Sequence, residues 1–259
     1  MSAYLLKRNL GDKEIFYNQI KDVLYEKDLD DSDYNRTLVE NPCDLCIEIT
    51  NKCLFSCKNC YCEKGGDNLS LDQFDELVGL YQDKVMRICI SGGEPTINPN
   101  LQKMVKRLNA EKKIGRILST TGWNFTEELA SLMKDSFWTV AVSLHGKKET
   151  HNQYVGMNIY ERTLKTLEIL LKYGINIHLY SVLHNAITIE DVEHLIEIKQ
   201  QYHVSVLRFI KIRKFGLYQS EQSQIESVIE KYLSDDIVYK KEKSNTFFVS
   251  AKMQKRMAR

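Results

Sequence analysis

After residue 89 the sequence has no cysteine, although seven occur before that point. A disulfide framework would spread its cysteines along a small secreted chain. Here six of the seven fall between Cys43 and Cys62 of a 259-residue chain, a crowding that favours metal ligation. Proline is scarce, at three residues, and no low-complexity segment or internal repeat interrupts the chain. Neither sign of charge is in excess: 36 Lys and Arg face 35 Asp and Glu, for a net charge of +1. A dedicated nucleic-acid binder would carry a basic surplus, and 43% hydrophobic content argues against a disordered chain. No apolar run approaches the roughly 20 residues needed to cross a bilayer. The opening MSAYLLKRNLGDKEIF lacks the apolar core of a signal peptide. The expectation is a cytoplasmic protein with no membrane or nucleic-acid partner, long enough for one large core plus a small appendage.

Apolar periodicity predicts an amphipathic helix over 12–27, with Ile15, Phe16, Ile20, Val23 and Leu24 on one side. From about residue 44, strands and helices alternate. Expected strands are 45–50, 86–91, 114–119, 138–144, 175–182 and 204–210. Between them lie helices at 70–84, from Asn98, at 126–135, 159–173 and 188–201. Ser70 with Gln73 makes a capping box, and Thr188 with Asp191 opens the helix at 188–201. Asn98 followed by Pro99 is a start signal, and Gly174 a stop. Successive βα units imply a parallel sheet with helices outside. The fold class expected is α/β, a partial (β/α)6 TIM-like barrel with an N-terminal helix and a short C-terminal extension. Its divisions are 1–42 (helical extension), 43–217 (barrel) and 218–259 (a helix near 218–234, then a basic tail without strand signals).

The chemistry concentrates in Cys53-Leu-Phe-Ser-Cys57-Lys-Asn-Cys60, just after the first barrel strand. Iron–sulfur clusters are normally held by four thiolates. Three within eight residues can wrap one corner of a cuboidal cluster and leave one iron open to an amino and a carboxylate group. The spacing C-x3-C-x2-C resembles the radical S-adenosylmethionine superfamily. So do Ser91-Gly92-Gly93-Glu94-Pro95 (its GGEP motif), Ser119-Thr120-Thr121-Gly122 (a TNG-like turn) and Val142-Ser143-Leu144-His145-Gly146 (an SLDG-like segment). Glu149-Thr150-His151-Asn152 resembles the loop after it. Each motif falls at the C-terminal end of an expected strand, where barrel folds place their active sites.

The resemblance implies a [4Fe–4S] cluster on Cys53, Cys57 and Cys60, and S-adenosylmethionine (SAM) as cofactor. It implies SAM contacts from Gly92, Gly93, Glu94, Thr120 and Ser143, with Glu94 on the amino group. Asn59, in a place often aromatic in the family, and Tyr61 beside it would lie near the adenine. Reductive cleavage of SAM to a 5′-deoxyadenosyl radical would follow, then hydrogen abstraction from a substrate. An electron donor such as flavodoxin or ferredoxin is implied. The motif set looks most like peptide-modifying maturases, so a peptide substrate is expected first. A nucleotide or small metabolite comes second, as in the molybdenum-cofactor GTP cyclase, whose nucleotide-contacting arginine is replaced here by Cys89. A glycyl-radical activase comes third. The non-enzyme alternative is a zinc-stabilised binding protein using Cys43, Cys46, Cys57 and Cys60. Outside that reading Cys43 is a loop thiol, Cys46 and Cys89 are buried small residues, and Cys62 is undecided. His145 and His151 read as solvent-facing, and His178 and His184 as packing or surface residues.

Overall fold

The computed structural model describes residues 5–10, 13–18, 23–28, 44–60, 62, 64–211, 238–240 and 246–249. Three strands open the chain: β1 (Leu5–Leu10), β2 (Lys13–Asn18) and β3 (Val23–Asp28). They pair antiparallel in that order, which corrects the helix expected over 12–27. Leu10 pairs with Lys13, so Gly11-Asp12 is a two-residue link of the kind that favours a tight hairpin. The runs Ile15-Phe16-Tyr17 and Val23-Leu24-Tyr25 are rich in β-branched and aromatic residues. Those local preferences outweigh an apolar spacing that suits a helix equally well.

The main sheet begins at β4 (Asp44–Glu48) and continues through β5 (Arg87–Ser91), β6 (Gly115–Thr120), β7 (Trp138–Ser143), β8 (Asn176–Leu183) and β9 (Val206–Lys211). These six strands are parallel and lie side by side in chain order. Beyond β9 come β10 (Val238–Lys240) and β11 (Thr246–Val249), in the order β9-β11-β10 and antiparallel. The sheet does not close, as expected of a partial barrel. The tail expected to lack strands therefore contributes two. Thr246-Phe247-Phe248-Val249 is a β-favouring run. The helix expected over 218–234 and the boundary at 217 lie outside the described residues.

The helices are α1 (Leu71–Tyr81), α2 (Leu101–Asn109), α3 (Glu127–Met133), α4 (Lys148–Val155), α5 (Tyr160–Lys172) and α6 (Ile189–Gln201). Capping boxes form at Ser70 with Gln73, and at Thr188 with Asp191. Asn98 does not cap α2; Asn100 holds that place, after a 3-10 turn over Pro95–Ile97. Asn98 instead accepts the Asn100 N–H at 2.8 Å and donates to the Ile49 carbonyl at 2.7 Å. α4 was not anticipated, because its sequence KETHNQYV has little apolar stripe. Among the described residues no helix is long and apolar enough to cross a membrane.

One large core lies between the sheet and its helices. Strand residues Ile47, Ile88, Ile90, Leu118, Val140, Leu179 and Leu207 meet Phe74, Met104, Leu108, Leu129, Leu167 and Leu195. Alternation then sends Cys46, Cys89, Ser119, Ser143, His178, Tyr180 and Arg208 to the opposite face of the sheet. Its outcome is a polar face beside the C-terminal strand ends, where the motif loops gather.

Candidate active site

The cysteine loop leaves β4 and is bound to its neighbours by backbone. The Gly93 N–H donates to the Thr50 carbonyl at 2.7 Å, and Glu94 N–H to the Lys52 carbonyl at 2.9 Å. This approach explains both glycines. A Cβ on Gly92 would lie 2.3 Å from the Thr50 carbonyl oxygen, and one on Gly93 2.2 Å from that of Lys52. Gly92 also holds φ at +133°, a region that glycine alone enters freely.

Phe55 anchors the middle of the loop. It is buried with Tyr154, Val155 and Ile159 in a second, smaller apolar cluster against which Cys53, Cys57 and Trp123 pack. Its ring meets Trp123 edge-on at 5.9 Å, and the Arg162 guanidinium lies over Trp123 at 4.0 Å. The loop backbone follows: Ser56 N–H donates to the Val155 carbonyl at 2.9 Å, and Lys58 N–H to that of Tyr154 at 3.3 Å. Gly156 ends α4 with φ at +73°, and a Cβ there would lie 2.0 Å from the Ser56 hydroxyl. The unanticipated α4 is thus the platform for the cysteine loop.

Cys53, Cys57 and Cys60 are half-buried free thiols. Burial raises Cys53 above the ordinary thiol range. Cys57 is pushed up to about 11 by burial and by the nearby Cys60 and Cys53 sulfurs. The Lys64 ammonium, bonded to the Phe55 carbonyl, opposes both shifts. Free thiolates are therefore unfavourable at Cys53 and Cys57, and metal coordination would displace their protons. Among the described residues no group of three His, Cys, Asp or Glu side chains is arranged to hold a metal ion. A cuboidal cluster asks for a different arrangement, one thiolate on each of three irons. Cys62 is half-buried, its thiol raised by burial, and its carbonyl lies 4.0 Å from the Cys60 sulfur. Asn59 is half-buried in the same loop; Tyr61 and Cys43 lie outside the described residues.

Glu94 is fully buried. Oε1 accepts from the Thr96 N–H at 3.1 Å, the Thr96 hydroxyl at 2.6 Å and the Thr120 hydroxyl at 2.5 Å. Oε2 accepts from the Thr121 N–H at 2.8 Å and the Thr121 hydroxyl at 2.6 Å. The carboxylate thus ties the loop after β5 to the loop after β6. Thr120 Oγ1 in turn accepts the Gly122 N–H at 2.9 Å. Thr163 and Thr166 of α5 donate to the Thr121 and Gly122 carbonyls at 2.9 and 3.0 Å. Thr96 and Thr121 were not singled out as site residues. Thr121 was visible inside the TNG-like turn, and Thr96 directly after the Gly-Gly-Glu-Pro run.

Ser143 ends β7 half-buried, paired in register with Tyr180. The next residues turn under Asp191, whose carboxylate accepts from Lys147 N–H at 2.7 Å and the Thr150 hydroxyl at 3.0 Å. A Cβ on Gly146 would lie 2.6 Å from that carboxylate. His145 and His151, read as solvent-facing, are both buried, as is His184. The unanticipated α4 contributes His151 from its own buried face. The His145 and His151 rings stack at 5.6 Å, and Tyr154 stacks on His184 at 4.4 Å. His145 Nδ1 accepts the Val182 N–H at 3.0 Å, and His151 Nδ1 the His145 N–H at 3.2 Å. Burial, reinforced by His151 and His184, holds His145 well below the usual imidazole range. His151 is lowered to about 4 by burial and His184, and His184 to about 4 by burial. Tyr154 packs with Phe55 against Cys53 and Cys57, so this aromatic cluster lies against the cysteine loop, and burial raises the Tyr154 hydroxyl above its ordinary range.

Cys46, expected to be buried, is exposed, and Cys89 is half-buried. β4 is an edge strand of the sheet, and alternation turns Asp44, Cys46 and Glu48 outward from the core. Cys46 lies directly opposite Cys89 in the pairing of β4 with β5.

A family model described as the Radical SAM superfamily matches residues 47–198. A GTP 3′,8-cyclase of Clostridium botulinum (strain Okra / Type B1) is 25% identical over 217 residues, spanning 78% of this chain and 67% of that protein. One from Helicobacter pylori (strain ATCC 700392 / 26695) is 27% identical over 176 residues, covering 64% of this chain and 54% of the relative. Among solved structures, Streptococcus suis SuiB bound to S-adenosylmethionine superposes with a TM-score of 0.75 at 14% identity, covering 92% of this chain and 70% of SuiB.

Proposed function

Because this chain belongs to the radical SAM superfamily, whose members use a [4Fe–4S] cluster and SAM, we propose that it is a radical SAM enzyme acting on a peptide. When bound, the cluster and SAM supply a carbon-centred radical that removes a hydrogen atom from an unreactive position. The donor set suits the group: three thiols on one loop, none engaged in a disulfide, and a glycine pair that brings the next loop's backbone against that loop. In this reading Cys53, Cys57 and Cys60 each take one iron, and the fourth iron is left for the SAM amino and carboxylate groups. Gly92 and Gly93 present backbone carbonyls to the methionine moiety, with Asn59 and Tyr61 near the adenine and Thr120 and Ser143 on the nucleoside side. Glu94 has about four lone-pair sites and five donors. It meets an ammonium when the half-buried Thr121 hydroxyl turns aside from Oε2.

The single observation that carries the enzyme reading is the joining of the cysteine loop to the Gly-Gly-Glu loop by two backbone hydrogen bonds. For a peptide substrate, the support is a fold shared over 92% of the chain with SuiB, also solved with precursor peptide SuiA, and Cys89 in place of a nucleotide-contacting arginine. A nucleotide substrate is favoured instead by the GTP 3′,8-cyclase relatives. The reductant is an acidic one-electron carrier of flavodoxin or ferredoxin type, in a reducing cytoplasmic setting. Leu54, half exposed at 50%, is flanked by exposed Lys52, Lys58 and Lys64, an apolar centre with a basic rim suited to such a partner. The test is incubation of the anaerobically reconstituted enzyme with SAM, reductant and either GTP or candidate peptides. A peptide-dependent burst of 5′-deoxyadenosine with a mass change on the peptide supports the reading. Conversion of GTP to a 3′,8-cyclised product would replace it with the nucleotide one.

A further inference from the structure

Cys46 and Cys89 hold neither the cluster nor SAM in the reading above. They are direct partners in the parallel pairing of β4 with β5, and both point away from the core face formed by Ile47, Ile88 and Ile90. Neighbouring strands run about 4.8 Å apart, inside the window of roughly 4.4–6.8 Å between Cα atoms that a disulfide spans. The Cys89 thiol donates to the Ile90 carbonyl at 3.7 Å, and the two sulfurs lie close enough for each to shift the other's titration. They also differ as an attacking and a resolving thiol must. Cys46 is exposed, and its sulfur is drawn down to about 7 by the adjacent Cys89 and, more weakly, Ser91, against the opposing effect of burial. Cys89 is half-buried and held well above the ordinary thiol range by Cys46 and by burial.

We propose that Cys46 and Cys89 form a redox-active dithiol that exchanges with small disulfides of the glutathione type. The Cys46 thiolate attacks one sulfur of the small disulfide, whose S–S bond breaks and releases one small thiolate. That thiolate takes the Cys89 proton. The Cys89 thiolate then attacks the Cys46 sulfur, forming the cross-strand bond and expelling the second small thiolate, which is protonated by water. Two electrons pass from the protein to the small disulfide, giving one protein disulfide and two small thiols. The Cβ atoms of a disulfide sit about 3.8 Å apart, closer than the strand spacing, so β4 and β5 must draw together. A bond strained in this way is readily reduced, as a reversible site requires. It would bear on the active site through β5, which ends at Ser91 and leads directly into Gly92.

The test uses the full chain with its reconstituted cluster, equilibrated anaerobically in glutathione buffers of graded ratio, then alkylated and mapped by mass spectrometry. The expected result is a Cys46–Cys89 cross-linked peptide that grows with the oxidised fraction and disappears with a dithiol reductant. A C53A/C57A/C60A variant, unable to hold the cluster by the assignment above, should form the same bond, so loss of the cluster reading leaves this outcome separately readable. Cys89→Ala should slow Cys46 alkylation at pH 7 about five-fold, the net of fewer thiolates and a stronger nucleophile as the pKa moves back toward 9. Mixed disulfides on Cys46 with no cross-link, or unchanged alkylation in Cys89→Ala, would overturn the proposal.

Discussion

Replacing Glu94 by glutamine keeps the shape of the side chain and should still destabilise the protein. Each carboxylate oxygen accepts one backbone N–H, that of Thr96 on Oε1 and that of Thr121 on Oε2. Hydroxyl groups can rotate to become acceptors, but a backbone N–H cannot. Whichever way the amide is turned, its NH2 faces one of these two donors. One buried N–H left unsatisfied costs about 1–3 kcal/mol, and each bond to a charged group loses roughly half its strength when the charge is removed. The sum is about 3–5 kcal/mol, or a drop of roughly 6–20 °C in melting temperature for a chain of this size. Calorimetry or near-UV circular dichroism on the cluster-free protein reads this directly, apart from any effect on SAM. A Glu94→Gln protein that melts within about 1 °C of the parent would refute the view of Glu94 as the strut between two loops.

Other expectations follow from the same contacts. Gly93→Ala would set a methyl group 2.2 Å from the Lys52 carbonyl, so the two loops must separate; iron bound per chain after reconstitution should fall several-fold, and normal loading would contradict the close approach. Stability should also depend on pH through His151 and His184. Both are lowered to about 4 in the fold, whereas an unfolded chain binds these protons near pH 6.5. The stabilisation is therefore complete above that pH and lost as pH falls from 6.5 toward 4. Urea unfolding from pH 7.5 to 5 should show it, and His151→Gln should flatten the slope. Charge reversal at Lys52 and Lys58 should slow cluster reduction by flavodoxin at least ten-fold at low salt, leaving reduction by dithionite unchanged. Equal loss with both reductants would point to damage within the loop rather than to docking.

Much of the barrel was legible because its strands and helices carry their own punctuation. Ser70 with Gln73 and Thr188 with Asp191 mark helix starts that local chemistry alone secures. The motif loops were legible because glycine pairs and clustered thiols are rare outside a site that needs them. The N-terminal sheet was misread because Ile15, Phe16, Val23 and Leu24 suit either period, and the deciding feature was the short link at Gly11-Asp12. Cys46 was misread because a cysteine in an apolar run looks buried until the edge position of β4 is known. The buried histidines and α4 depended on each other: His151 and Tyr154 supply the inward face of a helix with almost no apolar stripe. Nothing local announces a helix whose partner is a loop a hundred residues earlier.

The central claim is that Cys53, Cys57 and Cys60 hold a cluster with one iron open to SAM. Its most direct measurement is electron paramagnetic resonance of the reduced, reconstituted protein with and without SAM. The account predicts about four irons per chain, a reduced-cluster signal that shifts when SAM is added, and loss of that signal on replacing any one of the three cysteines with alanine. A signal indifferent to SAM, or a full cluster retained by Cys57→Ala, would contradict it.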